Sequence, residues 1–259
     1  MAEIITDISN VTEDLYNNIC KTLSKCLNEL LLEIEVGEFN VSTDVLLNIA
    51  GRLLIENPEC FYTTIENFRA SYSSNFYKET GIKWAKKFKV SYLYTNEQII
   101  SMKQELSNFN NEILSKFENI NSNLEKILFS IYYFKNNNFT ITDSVTSNVN
   151  IYDILTAKEV SLNYIYVLTS YLLKLFQIKF YICIYNYETG TSIGLKVFHN
   201  DNYYNIVFNI TDADLNNINQ YSLKSDSYML NHCTSIEIYN KFDFDVAECL
   251  DDKYDWLVN

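Results

Sequence analysis

The sequence predicts an α+β protein, with N-terminal helices leading to a core in which one helix packs on an antiparallel sheet. Three observations carry that expectation. Apolar residues recur at helical spacing over several long stretches. A single proline, Pro58, and five glycines leave few obligatory turns. After the last helical stretch come three successive segments of strand character, an order that segregates helix from sheet. At 259 residues, 47% of them apolar or aromatic, the chain can bury a core as one large domain, or as a smaller one with an N-terminal extension.

The first helix is expected from Asn10 and Glu13, with Leu15, Ile19, Leu23, Cys26, Leu27, Leu30, Leu31 and Ile34 along it. A second should start after Ser42, carry Val45, Leu46, Ile49, Leu53 and Leu54, and stop near Asn57. The residue before a proline is pushed out of helical geometry. Aromatic and β-branched residues at Tyr62–Phe68 and Phe88–Tyr94 then read as strands. Thr95 with Gln98 and Ser122 with Glu125 are capping boxes, each opening a helix. The first of these presents Ile99, Met102, Leu106, Phe109, Ile113 and Phe117 on one face. The second runs through Ile127, Leu128, Ile131 and Phe134 to a polar end at residues 136–138. Residues 140–150 read as a loop. A helix beginning at Ser161 carries Val167, Leu168, Leu172, Leu173 and Ile178. Strands follow at Lys179–Tyr187, Ile193–His199 and Tyr203–Ile210, with a hairpin turn at Asp201–Asn202 and a further strand at Thr234–Tyr239. The organisation expected is a helical region leading into strands over 1–94, a core over 95–240, and an acidic tail over 241–259.

A net charge of −13 disfavours binding to nucleic acid or to anionic membranes, both of which need a lysine- and arginine-rich surface. The basic run Lys83, Lys86, Lys87 and Lys89 is short and reads as a solvated strand edge. The tail (Asp243, Asp245, Glu248, Asp251, Asp252, Asp255), with Phe244, Val246, Leu250, Trp256 and Leu257 between its charges, reads as a solubilising end rather than a docking peptide. Cys20, Cys26, Cys60, Cys183, Cys233 and Cys249 form no C-x-x-C pair. With two histidines there is no zinc-ligand spacing, so no metal and no cofactor is expected. Several of these cysteines sit among apolar neighbours and read as reduced core residues. An acidic start without an apolar leader, and no apolar stretch of bilayer length, give a soluble cytoplasmic protein as the expectation. The abundance of Tyr, Asn, Ile and Lys points to an AT-rich genome.

Residues 157–164, Ala-Lys-Glu-Val-Ser161-Leu-Asn163-Tyr164, stand where bacterial transglutaminase-like proteins carry Gly-Lys-Gly-Val-Cys-x-Gly-Tyr. Leu172, Leu173 and Ile178 follow as in that family's LL…LGI run. Residues 200–209 resemble its DG-x-WYHVDVT strand pair. Residues 57–61 (Asn-Pro-Glu-Cys-Phe) resemble NPEIF, residues 90–99 resemble I-x-Y-x-Y-T-x-E-E-I, and residues 124–133 resemble EKVKAIHDYI with Ile131 and Tyr132 in place of its His and Asp. The order and spacing of these pieces over roughly residues 11–214 make the chain similar to Firmicute transglutaminase-like proteins, which have a papain-like core.

That resemblance implies a Cys-His-Asp triad, and the residues depart from it. A thiol enzyme needs sulfur, a base to form the thiolate, and a group that orients the base. Laid without gaps, the three positions fall on Ser161, Ser192 and Val207. Gly194 stands where the family has a tryptophan beside its histidine. Moving the last strand by two places puts Asn209 and Thr211 on the family's D-V-T, which still gives asparagine. Ser161 reads as a helix N-cap rather than a nucleophile. His199 falls about seven residues past the expected base, and His232 lies outside the motifs. The resemblance thus implies a non-catalytic protein- or peptide-binding or scaffold module, its cleft lined by Ser161, Asn163, Tyr164, His199 and Asn209. Two alternatives stay open. One is a divergent hydrolase or transferase using Cys183 or Cys233, and the other is a structural component of a phage particle or spore layer.

Overall fold

The structure, a computed structural model, describes residues 3–142, 150–161, 164–208, 222–239, 249 and 251–255. The chain is α+β and divides into two compact units, Met1–Gln104 and Glu105–Asn259.

In the first unit, helix α1 (Glu13–Asn28) is opened by Thr12, whose hydroxyl accepts from the Leu15 amide, two residues later than the expected Asn10. It buries Ile19, Leu23, Cys26 and Leu27 as the spacing marked out, with Tyr16 buried where Leu15 was expected. It ends six residues short of Ile34. Leu30 turns left-handed (φ 54°), and the Leu31 amide reaches back to the Cys26 carbonyl, a Schellman closure that releases the chain into strand β1 (Glu33–Glu35). Helix α2 (Thr43–Glu56) starts and stops as expected, with Ser42 accepting from the Val45 amide and Asn57 closing the helix before Pro58. It lies against α1 and against strand β2 (Phe68–Tyr72).

The strand expected at Tyr62 begins only at Phe68, because Ile65–Asn67 form a 3-10 turn first. A short helix α3 (Ser74–Thr80), capped by Ser73 and closed by left-handed Gly81, was not foreseen. Strand β3 (Ala85–Val90) comes three residues earlier than expected and is the middle strand of an antiparallel sheet ordered β1-β3-β2. The basic run is therefore no strand edge. Lys87 extends to Glu33 (2.7 Å) and Glu35 (3.2 Å) on β1, and Lys89 reaches Glu33 at 3.7 Å. These are exposed pairs of small energetic weight.

Helix α4 (Asn96–Lys116) opens on a reciprocal capping box, in which Thr95 and Gln98 each bond the other's amide. The division between the units falls inside this helix. In the second unit, helix α5 (Asn123–Asn136) is capped by Ser122 as expected. The segment read as a loop contains strand β4 (Thr140–Thr142), and Asn150 caps helix α6 (Ile151–Ala157). Strand β5 (Glu159–Ser161) pairs in parallel with β4. Helix α7 (Ile165–Leu175) buries Leu168, Leu172 and Leu173 and packs against α5 and against strand β7. Strands β6 (Phe180–Tyr187), β7 (Gly190–His199), β8 (Asn202–Val207), β9 (Ser222–Lys224) and β10 (Ser235–Ile238) form an antiparallel sheet ordered β10-β6-β7-β8-β9. Helix α8 (Asp226–Leu230) follows β9.

The β7–β8 hairpin turns on Asn200 and Asp201, one residue earlier than expected. Both are left-handed (φ 48° and 63°), as a two-residue type I′ turn requires, and Asn and Asp tolerate that geometry. Gly194 is fixed by packing rather than by backbone angle. A Cβ there would lie 2.4 Å from the Ile206 carbonyl oxygen, 2.9 Å from the Tyr185 ring and 3.2 Å from the Val207 Cα. Gly194→Ala is expected to destabilise the protein by about 2–3 kcal/mol or to prevent folding, because the contacts are backbone and a packed ring that cannot retreat. Urea unfolding measures it, and a midpoint equal to that of the wild type would refute this close approach.

Candidate functional site

Ser161 does not open a helix. Its backbone is committed to the parallel ladder, opposite Thr142, and it ends β5 with only 6% of its surface exposed. Helix α7 begins at Ile165, after Tyr164, whose side chain makes no capping bond and whose ring stacks on Tyr166. Asn163 and Asn209 lie outside the described residues, as do the tail residues Asp243, Phe244, Asp245, Val246, Glu248, Leu250, Trp256 and Leu257.

The register does bring the two strand positions to the same stretch of sheet. Val207 on β8 faces Gly194 on β7, and Ser192 lies two residues from Gly194 on β7. The Ser192 hydroxyl is buried and donates to the Phe208 carbonyl at 3.4 Å, while Val207 is fully buried. Neither side chain can take a proton at neutral pH. His199 stands at the far end of β7. Seven residues of strand separate it from Ser192, about 23 Å at roughly 3.3 Å per residue, so it cannot act at that position.

The remaining histidine and the candidate thiols do not assemble a nucleophile either. The His232 ring stacks on Tyr228, and its Nδ1 lies 2.9 Å from the Tyr228 carbonyl oxygen. Cys183 is fully buried on β6, and Cys233 is 5% exposed in the same apolar cluster with Tyr185, Val207 and Met229. Burial, with the negative charge of Asp226 second, pushes the Cys233 thiol up. That shift lowers the thiolate fraction, the reverse of what activates a cysteine.

What the sheet does assemble is a buried polar row that the sequence reading missed. Lys196 on β7 stands opposite Asn205 on β8, which stands opposite Lys224 on β9. The Lys196 ammonium meets Asp226 at 2.7 Å, with both side chains under a tenth exposed. Asn205 donates to Asp226 (2.7 Å) and to the Lys224 carbonyl (2.9 Å), and it accepts from the Tyr185 hydroxyl (2.9 Å). The Cys249 amide gives Asp226 a third donor at 3.0 Å. Burial holds the Tyr185 phenol neutral, its pKa raised well above the usual value. Asp226 thus accepts from an ammonium, a side-chain amide and a backbone amide, which leaves little of it for chemistry and makes the row a structural element. The available signal was a lysine and an asparagine inside two otherwise apolar strand sequences, Ile193–His199 and Tyr203–Val207.

At the end of β7, His199 Nε2 lies 3.1 Å from the Tyr254 hydroxyl. The Tyr204 hydroxyl donates to Asp251. Burial first, and the nearby Lys253 charge second, lower the His199 pKa. Among the described residues no group of three or more His, Cys, Asp or Glu side chains is placed to hold a metal ion, and no helix is long and apolar enough to cross a membrane.

No family model matches the chain, and no curated protein matches it. Among solved structures, a Cytophaga hutchinsonii protein described as a candidate cysteine protease aligns at 15% identity with a TM-score of 0.34. The alignment covers 39% of this chain and 37% of that one.

Two outcomes are expected. Asp226→Ala should cost about 3–5 kcal/mol, because Lys196 is left charged and buried, whereas Lys196→Met combined with Asp226→Asn, which removes both charges and keeps an acceptor for the Asn205 and Cys249 donors, should recover much of the loss. Urea titration of the two variants tests this, and a neutral single variant would contradict the pair's burial. The second concerns pH. His199 is held below its unfolded value near 6.5, so the folded state binds fewer protons than the unfolded chain as pH falls through that value. Its contribution is complete above about pH 6.5 and is lost below it. The urea midpoint should fall between pH 7.5 and 5.5 more in wild type than in His199→Gln. Parallel losses would contradict the shift.

Proposed function

We propose that this chain is a catalytically inactive relative of transglutaminase-like thiol enzymes, with a papain-like core, and that it serves as a protein- or peptide-binding module. The observation that carries the reading is the chemistry of the three positions where such an enzyme keeps its triad. Ser161 is tied into a strand ahead of the helix, so it lacks the helix N-terminus that lowers a nucleophile's pKa. The Ser192 hydroxyl is spent on a backbone carbonyl, and Val207 is a core residue. A serine nucleophile needs a strong base within hydrogen-bond reach, and neither strand position supplies one. Gly194 adds support, since a tryptophan could not enter the space between Tyr185 and Val207.

A binding role fits what remains when the chemistry is removed. The chain is rich in tyrosine (21) and phenylalanine (16), which give large contact area at low entropic cost, although much of it is committed to the core. Its net charge of −13 disfavours nucleic acid as the partner.

Purified protein is expected to incorporate no labelled amine into casein and to release no peptide from it, and Ser161→Cys alone should not create either activity, because the base is still missing. Turnover by wild type that Ser161→Ala abolishes would overturn the reading. Turnover that survives Ser161→Ala but disappears in Cys233→Ala would place a thiol centre elsewhere in the chain.

A further inference from the structure

The segment read as an acidic solubilising end is, where it is described, seated against the sheet. Cys249 is fully buried, and it exchanges two backbone-level bonds with Asp226: its amide donates to the carboxylate and its carbonyl accepts from the Asp226 amide, each at 3.0 Å. Tyr254 is 8% exposed. Its ring meets Tyr204 edge-on at 5.1 Å, and its hydroxyl reaches His199. The Lys224 ammonium, on a side chain with no exposed surface, donates to the carbonyls of Tyr254 (3.3 Å) and Asp255 (2.8 Å). The Asp255 carboxylate accepts from both the amide and the hydroxyl of Ser225. Asp252 and Lys253 between these contacts point to solvent.

Two features separate this segment from an ordinary piece of the core. Its described residues join no strand ladder, and they are held by side-chain contacts and a few single backbone bonds rather than by the sheet. Tyr254 is buried and Asp255 half-buried beside the exposed Asp252 and Lys253, so a tyrosine and an aspartate are its anchors. The surface beneath it supplies matching chemistry: an ammonium for carbonyls, a serine for a carboxylate, and an imidazole with a phenol ring for a tyrosine.

We propose that His199, Tyr204, Lys224 and Ser225 form a recognition site for an acidic peptide carrying Tyr-Asp, and that residues 251–255 of this chain fill it in cis, while Cys249 stays with the body as a donor to Asp226. The proposal deepens the binding reading above and rests on it, naming the surface and the chemistry of its ligand. A tethered segment is present at an effective concentration on the order of millimolar, so a peptide in trans competes poorly until the tether is cut.

The test inserts a protease site between Cys249 and Asp251 of the full chain, so that Cys249 stays with the body, and cuts it after folding. A fluorescent synthetic peptide of residues 251–255 is then titrated by anisotropy. The cut body, freed of its fragment by dilution, is expected to keep its far-UV spectrum and to bind the peptide saturably. Binding to the uncut chain should be at least roughly ten-fold weaker, as cis competition requires. A peptide bearing Tyr254→Ala or Asp255→Asn should also bind roughly ten-fold or more weakly, the scale of losing one charged or aromatic anchor. Unfolding of the cut body would overturn the proposal by making the segment a structural part. So would absence of peptide binding, or equal binding of the altered peptides. None of these results depends on turnover, so failure here and failure of the non-catalytic reading are distinguishable.

Discussion

A lysine in the middle of a five-stranded sheet cannot stay charged there unless an anion comes to it, and the second unit is arranged around that requirement. Lys196 is on the central strand β7, and Asp226 reaches it from the start of α8. To bring Asp226 there, β9 must pair with β8, and Asn205 bridges the two by bonding both the Lys224 carbonyl and the carboxylate. Two charges taken out of water cost several kcal/mol each, and the pair offsets this only when every remaining polar site is filled. Asn205 and the Cys249 amide donate to the carboxylate, and Tyr185 satisfies the Asn205 amide oxygen in turn. The row thus fixes the sheet's last strand, the helix after it and Cys249.

The same row bears on chemistry. Strand β7 carries Ser192 toward one end, Lys196 near the middle and His199 at the other, each with a hydrogen-bonding partner in the fold. A catalytic group needs a poised proton site that the substrate can reach. The described groups on this strand have their hydrogen bonds directed inward, to a carbonyl, a carboxylate and a phenol. The thiols point the same way. Burial raises Cys20, Cys26 and Cys249 to about 11, in each case as the largest cause.

Local signals in the sequence were legible where the physics is local. Ser42, Thr95 and Ser122 announce helices because a side-chain oxygen three residues from an amide is a complete motif in itself. Pro58 stops α2 for an equally local reason. The three long strands of the second unit were found from their β-branched and aromatic content. What could not be read was pairing. The left-handed turn at Leu30 that ends α1 has no glycine to mark it. The basic stretch of β3 becomes a central strand only because β1 brings Glu33 and Glu35 alongside. Ser161 is drawn from a helix start into β5 by Thr142, a residue far back in the chain. The polar row was illegible for the same reason, since Lys196, Asn205 and Asp226 become neighbours only through the register.

The proposal of a non-catalytic chain requires that none of its cysteines is an activated nucleophile, and the reactivity of its thiols tests that requirement most directly. Alkylation by iodoacetamide at pH 7.5, followed cysteine by cysteine by mass spectrometry, compares each residue in the native protein with the same residue in denatured chain. Because thiolate is the reacting form, a cysteine poised for catalysis reacts faster folded than unfolded, and a buried structural one reacts slower. Every cysteine is expected to be slower in the native state, with Cys20 the least protected because it alone of the six is half-buried rather than buried. A single cysteine that reacts faster in the folded protein than in the denatured chain would contradict it.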